Sequence, residues 1–125
     1  MLAELHVELV AANRKVWSGE ATIVVARTVS GDVGIMPGHT PLLSVLESDP
    51  VTIRTTDGGT VIAAVHGGFI SFSDNKLTIL AEVAELADEI DVDRAEAALG
   101  RAKSGEDSAA QRRADVRLRA ASGTN

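Results

Sequence analysis

The chain has no cysteine and no tyrosine, and one Trp and two Phe are its only aromatic residues in 125 positions. Without cysteine, disulfides, thiolate metal ligands and cysteine nucleophiles are excluded. Because large aromatic side chains are scarce, Val, Ile, Leu and Ala must fill any core. The hydrophobic fraction of 45% is sufficient for such a core. The length fits one domain, or one domain with an appendage.

The sequence also lacks long apolar runs and a surplus of positive charge. No run approaches the roughly 20 apolar residues that a membrane-spanning helix requires. A net charge of −6 argues against nucleic acid or anionic lipid as a partner, since both attract basic surfaces. Glu4, His6 and Glu8 interrupt the apolar N-terminal stretch, so neither a signal peptide nor a basic transit peptide is predicted. We expect a soluble protein, or one held peripherally by partners without membrane insertion.

Charge and composition change near residue 90. Residues 1–90 hold five Lys/Arg and twelve Asp/Glu, whereas residues 91–125 hold seven and six. All the prolines and aromatic residues lie in the first part. The change predicts two units, a head over residues 1–88 and a C-terminal appendage over residues 89–125.

The first unit has the patterns of β-structure. Leu5, Val7 and Leu9 alternate with polar residues, which is typical of a half-buried strand. Asp57-Gly58-Gly59 has hairpin-turn chemistry, because glycine tolerates the positive φ of such turns. Further strands are predicted over Ala21 to Thr28, Val51 to Thr56, Thr60 to Val65, Phe69 to Ser73 and Lys76 to Ala81. Many short strands without a helical period before Asp88 predict a mainly β unit, an antiparallel sandwich or barrel.

The second unit has a helical period. Apolar residues recur at spacings of three and four from Val92 to Ala102 and again from Ala110 to Ala121. Asp91 is a candidate cap for the first helix, and Ser108 to Gln111 fits a capping box for the second. Lys103 to Asp107 is expected to separate them. The apolar stripes are mostly alanine, which buries little area, so a weakly held antiparallel hairpin is predicted.

The residues alone give no catalytic or metal site. His6, His39 and His66 lie on different predicted elements, and no nucleophile elbow or P-loop occurs. The segment from Gly31 to Leu42 is rich in glycine and proline and predicts a rigid, tightly turned loop. Its spacing equally fits two turns at the edge of a sandwich and a surface shaped to contact a partner.

The segment Gly31-Asp32-Val33-Gly34-Ile35-Met36-Pro37-Gly38-His39-Thr40-Pro41-Leu42 is similar to the hallmark of the ε subunits of F-type ATP synthases from bacteria. Other segments resemble that family in the same order along the chain, and the resemblance is of the actinobacterial type. They are Leu5 to Val10, His66-Gly67-Gly68-Phe69-Ile70, Leu77 to Glu82 and Ile90-Asp91-Val92-Asp93-Arg94-Ala95. The resemblance implies an antiparallel β-sandwich followed by a two-helix antiparallel hairpin.

The resemblance also implies a place in a complex. Such a chain is a non-catalytic rotor, or central-stalk, subunit that couples rotation of the c-ring to ATP synthesis in a proton-translocating enzyme. Its head packs beside the γ subunit and on the c-ring, at the cytoplasmic face of the cell membrane. Asp32 and His39 are carried over as the side chains that face the ring.

Two further roles are implied for the hairpin, which is shorter than in many relatives. One is binding of MgATP as a regulatory ligand, no cofactor being required, with candidate residues Glu85, Asp91, Arg94, Arg101, Arg113 and Arg117. The other is an inhibitory contact with the catalytic β subunits through Arg112, Arg113, Arg117 and Arg119. The plainer alternatives are a helix cap at Asp91 and ordinary solvated arginines.

Two rival functions stay open on the sequence. A free nucleotide-sensing module of the same fold would bind ATP tightly without partners. A small β-sandwich enzyme would use His39 or His66 beside an apolar pocket.

Overall fold

The structure is a computed structural model that describes residues 4–123, and over this range it has seven strands and two α-helices. The strands are β1 (Leu5–Ala11), β2 (Arg14–Thr28), β3 (Gly31–Ile35), β4 (Leu42–Val45), β5 (Asp49–Thr55), β6 (Thr60–Ser73) and β7 (Lys76–Leu86). The helices are α1 (Val92–Ser104) and α2 (Ser108–Ala121), preceded by a short 3₁₀ turn at Ala87–Glu89. We call β1 to β7 the head and the two helices the hairpin.

The first strand closes the sheet of the head. β1 pairs antiparallel with β2 and parallel with β7, and the chain of pairs continues through β6 and β5 back to β2. β3 adds to β2 and β4 adds to β6. The predicted sandwich is confirmed, with one departure from the antiparallel pattern. β1 and β7 run in the same direction because the closed path β1-β7-β6-β5-β2 has five strands, and its other four pairs are antiparallel.

Alternating side chains fill the interior of the head. Leu5, Val7 and Leu9 are fully buried, as their spacing predicts. Other members of the core are mainly aliphatic, and Phe72 is its largest fully buried side chain. The scarcity of aromatic residues is therefore matched by a core of closely packed Val, Ile, Leu and Ala.

The segment from Gly31 to Leu42 is not a continuous loop, so this prediction was wrong for its first half. Gly31–Ile35 forms β3, which pairs with the end of β2, and the turn occupies only residues 36–41. An added strand of this kind tolerates glycine, since it has a neighbour on one edge only. The turn is tied to the head at Gly38, whose N–H donates to Oδ1 of Asn75 at 2.8 Å.

The hairpin follows the prediction except at the boundary between its helices. Asp91 caps α1 by accepting the N–H of Arg94 at 3.0 Å. For α2 the cap is Asp107, which accepts the N–H of Ala110, so the capping box at Ser108 is wrong. α1 also runs on to Ser104, because the chain reverses later, at Gly105–Asp107, with Glu106 at φ +57°. α1 packs on α2, and α2 packs on β5 and β6.

At Gly68 the neighbouring backbone of β7 leaves no room for a side chain. The φ of Gly68 is +123°, and a Cβ there would lie 2.0 Å from the carbonyl oxygen of Leu80. We therefore expect Gly68→Ala to lower the free energy of unfolding by about 3 kcal/mol or more, measured by urea denaturation. Gly34→Ala is the control, because its nearest neighbour would be Cδ1 of Ile23 at 3.7 Å. Equal losses in the two variants would contradict this account.

Candidate functional site

The basic face of α2 is joined to acidic side chains of the head. Three ion pairs cross this boundary, and we call them the charged seam. They are Arg112–Glu47 at 3.8 Å, Arg117–Glu85 at 2.5 Å and Arg119–Asp49 at 2.8 Å. Three of the four arginines predicted to contact a catalytic subunit are thus engaged with the head when the hairpin lies against it.

Arg119 is the cation of the seam that has two carboxylate partners. Its guanidinium reaches Asp49 on β5 and also Asp115, one turn earlier on α2, at 3.1 Å. Burial alone would lower the pKa of Arg119, but hydrogen bonds to Asp49 and Asp115 outweigh it and raise that pKa. Asp49 is 16% exposed in its side chain, so removing its partner would leave a poorly solvated carboxylate.

Arg113 differs from its three neighbours, since it makes no ion pair within residues 4–123. It lines a cavity of about 350 Å³ between the start of α2 and the head, together with Arg112, His66 and Glu82. The structure therefore separates Arg113 from the other residues predicted to bind ATP.

The remaining five residues of the predicted ATP set lie together. Glu85, Asp91, Arg94, Arg101 and Arg117 line one groove of about 470 Å³ between α1, α2 and the end of β7. Three of the side chains already have partners, since Asp91 caps α1 and Arg117 is bound to Glu85. Arginine side chains suit phosphate oxygens, and carboxylates suit an adenine amine or a ribose hydroxyl.

Another carboxylate, Glu89, lines the same groove and is neutralised by the head. Arg14 donates to both of its oxygens, at 3.1 and 3.0 Å. This interaction, with a hydrogen bond from the N–H of Leu86, holds the pKa of Glu89 below its ordinary value. The groove thus contains both signs of charge, with Arg94 and Arg101 on α1 unpaired among the described residues and Arg117 paired with Glu85.

Asp32 and His39 lie in different parts of the segment from Gly31 to Leu42. Asp32 lies near the start of β3, where Arg27 donates to its two oxygens at 2.9 and 3.4 Å. His39 lies in the turn, with its ring edge-on to Phe72 at 5.9 Å between centroids. Its Nδ1 is 2.6 Å from the carbonyl oxygen of Thr40. Asp32 remains largely exposed, whereas His39 is half-buried.

A row of apolar side chains crosses four strands on the outside of the head, and sequence reasoning missed it. Val10, Leu80, Phe69 and Val45 are successive cross-strand neighbours on β1, β7, β6 and β4. We call them the apolar row; Val45, Phe69 and Leu80 are 44%, 53% and 54% exposed. A signal was present, because Phe69 is out of phase with buried Ile70 and Phe72 on the same strand.

The described chain offers little to an enzyme. Within residues 4–123, no group of three His, Asp or Glu side chains could hold a metal ion. His66 is 5% exposed and both its ring nitrogens are enclosed, so a substrate could not reach them in this arrangement. Neither helix of the described range is long and apolar enough to cross a membrane.

Comparison with known proteins gives consistent matches. The family model for the ATP synthase delta/epsilon chain β-sandwich domain matches residues 4–87. The ATP synthase epsilon chain of Streptomyces griseus is 80% identical over 120 residues, which cover 96% of this chain and 97% of that protein. The protein of the same name from Micrococcus luteus is 54% identical over 87 residues, covering 70% of this chain and 96% of that one.

A solved structure has the same fold at low identity. It is a chain in the cryo-EM structure of the Euglena gracilis mitochondrial ATP synthase OSCP/F1/c-ring assembly, with a TM-score of 0.76 and 20% identity. The match covers 94% of this chain and 77% of that chain, so the likeness extends over head and hairpin together.

Proposed function

Because the chain belongs to the ATP synthase epsilon chain family, we propose that it is the rotor subunit that couples c-ring rotation to ATP synthesis. Its relatives are subunits of an ATP synthase, and the chain is itself not a catalyst. A rotor subunit must bind its neighbours firmly and transmit torque through a rigid body. The closed sheet of the head supplies such a body, and the apolar row is the observation that carries the proposal.

The apolar row is a surface for the γ subunit. Exposed aliphatic and aromatic side chains in a contiguous row are favourable to bury and mark a protein-binding surface. Phe69 and Leu80 lie side by side at its centre, where anchoring residues of interfaces are commonly found. Phe69 and Leu80 line a shallow groove, and Val10 and Val45 line its sides.

Substitution of the two central residues tests this surface. We expect the double variant Phe69→Ser, Leu80→Ser to recover at least tenfold less γ subunit in a pull-down from a membrane extract. Each exposed apolar side chain contributes on the order of 1–2 kcal/mol when buried. Val29→Ser is the matched control, because Val29 is 58% exposed but lies outside the row. Undiminished recovery by the double variant would argue for a different surface.

Asp32, on β3, and His39, in the turn at residues 36–41, are proposed to face the c-ring. Met36, 56% exposed, is the apolar contact of this turn. The negative charge of Asp32 suits basic loops of a partner. Arg27, which donates to Asp32, already neutralises part of that charge. The position on a membrane-embedded ring would place the chain peripherally at the cytoplasmic face of the cell membrane.

The hairpin is proposed to restrain ATP hydrolysis by binding the catalytic β subunits through its arginines. The seam arginines cannot bind the head and a catalytic subunit at once, so inhibition requires the hairpin to leave the head. The Micrococcus luteus relative supports separate roles for the two units. Its match uses 96% of that protein but 70% of this chain, which leaves it no room for a comparable hairpin.

The two sides of the seam should affect hydrolysis in opposite directions in the assembled complex. Asp49→Asn weakens the hold on Arg119 and frees the hairpin, so the rate of ATP hydrolysis should fall. The double variant Arg113→Gln, Arg117→Gln removes inhibitory contacts, so the rate should rise. Glu96→Gln, on the exposed surface of α1, is the control and should leave the rate unchanged. Changes of the same sign in both variants would contradict the mechanism.

The groove between the helices is proposed as a regulatory site for MgATP. Its support is the convergence of Arg94, Arg101 and Arg117 with Asp91 and Glu85 around one space. Since Glu85 must release Arg117 before phosphate can bind it, we expect weak affinity. A free nucleotide-sensing module would need tight binding, and this arrangement favours the rotor subunit over that rival.

Titration calorimetry on the whole chain decides whether the groove binds nucleotide. We expect MgATP to bind in the millimolar range, on the order of −4 kcal/mol, and Arg94→Gln to abolish the measured heat. Arg54→Gln is the control, since Arg54 is exposed on β5 and does not line the groove. Absence of heat from the unmodified chain at millimolar MgATP would exclude the site.

A further inference from the structure

His66 is the buried polar side chain on which α2 rests. Ile62, Ala64 and His66 occupy alternate positions of β6, so their side chains lie on the same face of the strand. Ile62 and Ala64 pack with Val116 and Ala120 of α2, so the imidazole lies in line with the apolar contact between head and hairpin. It is 5% exposed.

Neither ring nitrogen of His66 has a hydrogen-bond partner among residues 4–123. The nearest carboxylate oxygen is Oε1 of Glu85, 3.8 Å from Nε2, which is too far for a hydrogen bond. Nε of Arg117 already donates to that oxygen at 2.5 Å. A proton added to the ring would thus be buried without an acceptor.

The polar groups around the ring lie on three parts of the chain. Helix α2 contributes positive charge, β7 contributes negative charge, and Ser48, just before β5, contributes a hydroxyl. The charged groups are Arg112, Arg113 and Arg117 on α2 and Glu82 and Glu85 on β7. Glu85 is already paired with Arg117, whereas Arg113 and Glu82 make no ion pair among residues 4–123. Of these two, Arg113 acts on the imidazole and lowers its pKa.

We propose that protonation of His66 releases α2 from the head, so that acidification shifts the hairpin towards its undocked state. The imidazole has to be neutral while α2 covers it. Once α2 leaves, water reaches the ring and the proton is no longer opposed by burial or by the arginines. The inference rests on the proposed ability of the hairpin to leave the head, and it adds the group that makes this step sensitive to pH.

The sign of the effect follows from the two protonation equilibria. Burial, then the charges of Arg117 and Arg113, lower the pKa of His66 to about 4, and Glu85 opposes this only in part. A solvated imidazole has an ordinary pKa of about 6.5, and this is the value that the proposal assigns to the undocked state. Docking is therefore fully favoured above pH 6.5 and is progressively lost as the pH falls from 6.5 towards 4. Between pH 7.5 and 5.5 the undocking constant should rise about tenfold.

Hydrogen exchange of the α2 amides in the whole chain measures this constant. The intrinsic rate of amide exchange itself depends on pH. Dividing the rate in the unmodified chain by the rate in His66→Leu at the same pH removes that dependence. We expect this ratio to rise about tenfold from pH 7.5 to 5.5. His66→Gln, which is polar but cannot be protonated, should give the same result if the leucine variant folds poorly. His6→Gln is the matched control, because His6 lies on β1 with Glu8 and Glu20 as partners.

The results of this experiment distinguish a failure of the role of His66 from a failure of the proposed regulation by the hairpin. If α2 opens independently of the sheet but the ratio stays constant with pH, the role of His66 is wrong and the hairpin is still mobile. If α2 exchanges only through global unfolding, both are wrong. A His66 imidazole that titrates near pH 6.5 by NMR in the docked chain would also overturn the inference.

Discussion

β1 is hydrogen-bonded along both of its edges, and the architecture of the head depends on this double pairing. With β7 on one side and β2 on the other, the sheet closes on itself. Closure removes free edges at these strands and gives each residue an inner or an outer face. The enclosed core, the apolar row and the surface beneath α2 all follow from that division. A head of this kind resists deformation, as a part that transmits torque must.

The contact between head and hairpin is of a different nature. Its apolar part is small, since its buried members are Ala64, Ile90, Val116 and Ala120. Alanine buries little area, so the ion pairs of the charged seam add to a small apolar contact. The proposed pH dependence of docking would act through His66 at the same boundary. The composition of the two stripes predicts a weakly held hairpin, and the seam shows which groups hold it.

Patterns local to the chain were sufficient for much of the fold. Alternation identified β1, and period and capping identified α1 with Asp91. One error occurred where a distant partner decides the outcome, because β3 is a strand only with β2 beside it. The other was local, since Asp107 rather than its neighbour Ser108 caps α2. The seam carboxylates were likewise invisible, because Glu47 and Asp49 become meaningful only when α2 crosses β5. Asp32 and His39 remain predictions from family resemblance.

The close backbone approach at Gly68 has a consequence for recognition. Gly68 precedes Phe69 and lies against Leu80, so the two central side chains of the apolar row are set on backbones that cannot separate or slide independently. A partner would meet a surface whose shape is already fixed, and little chain entropy would be lost on association. The same rigidity means that the surface cannot adapt to a poorly matched partner, so any adjustment between the two subunits has to occur in the other one.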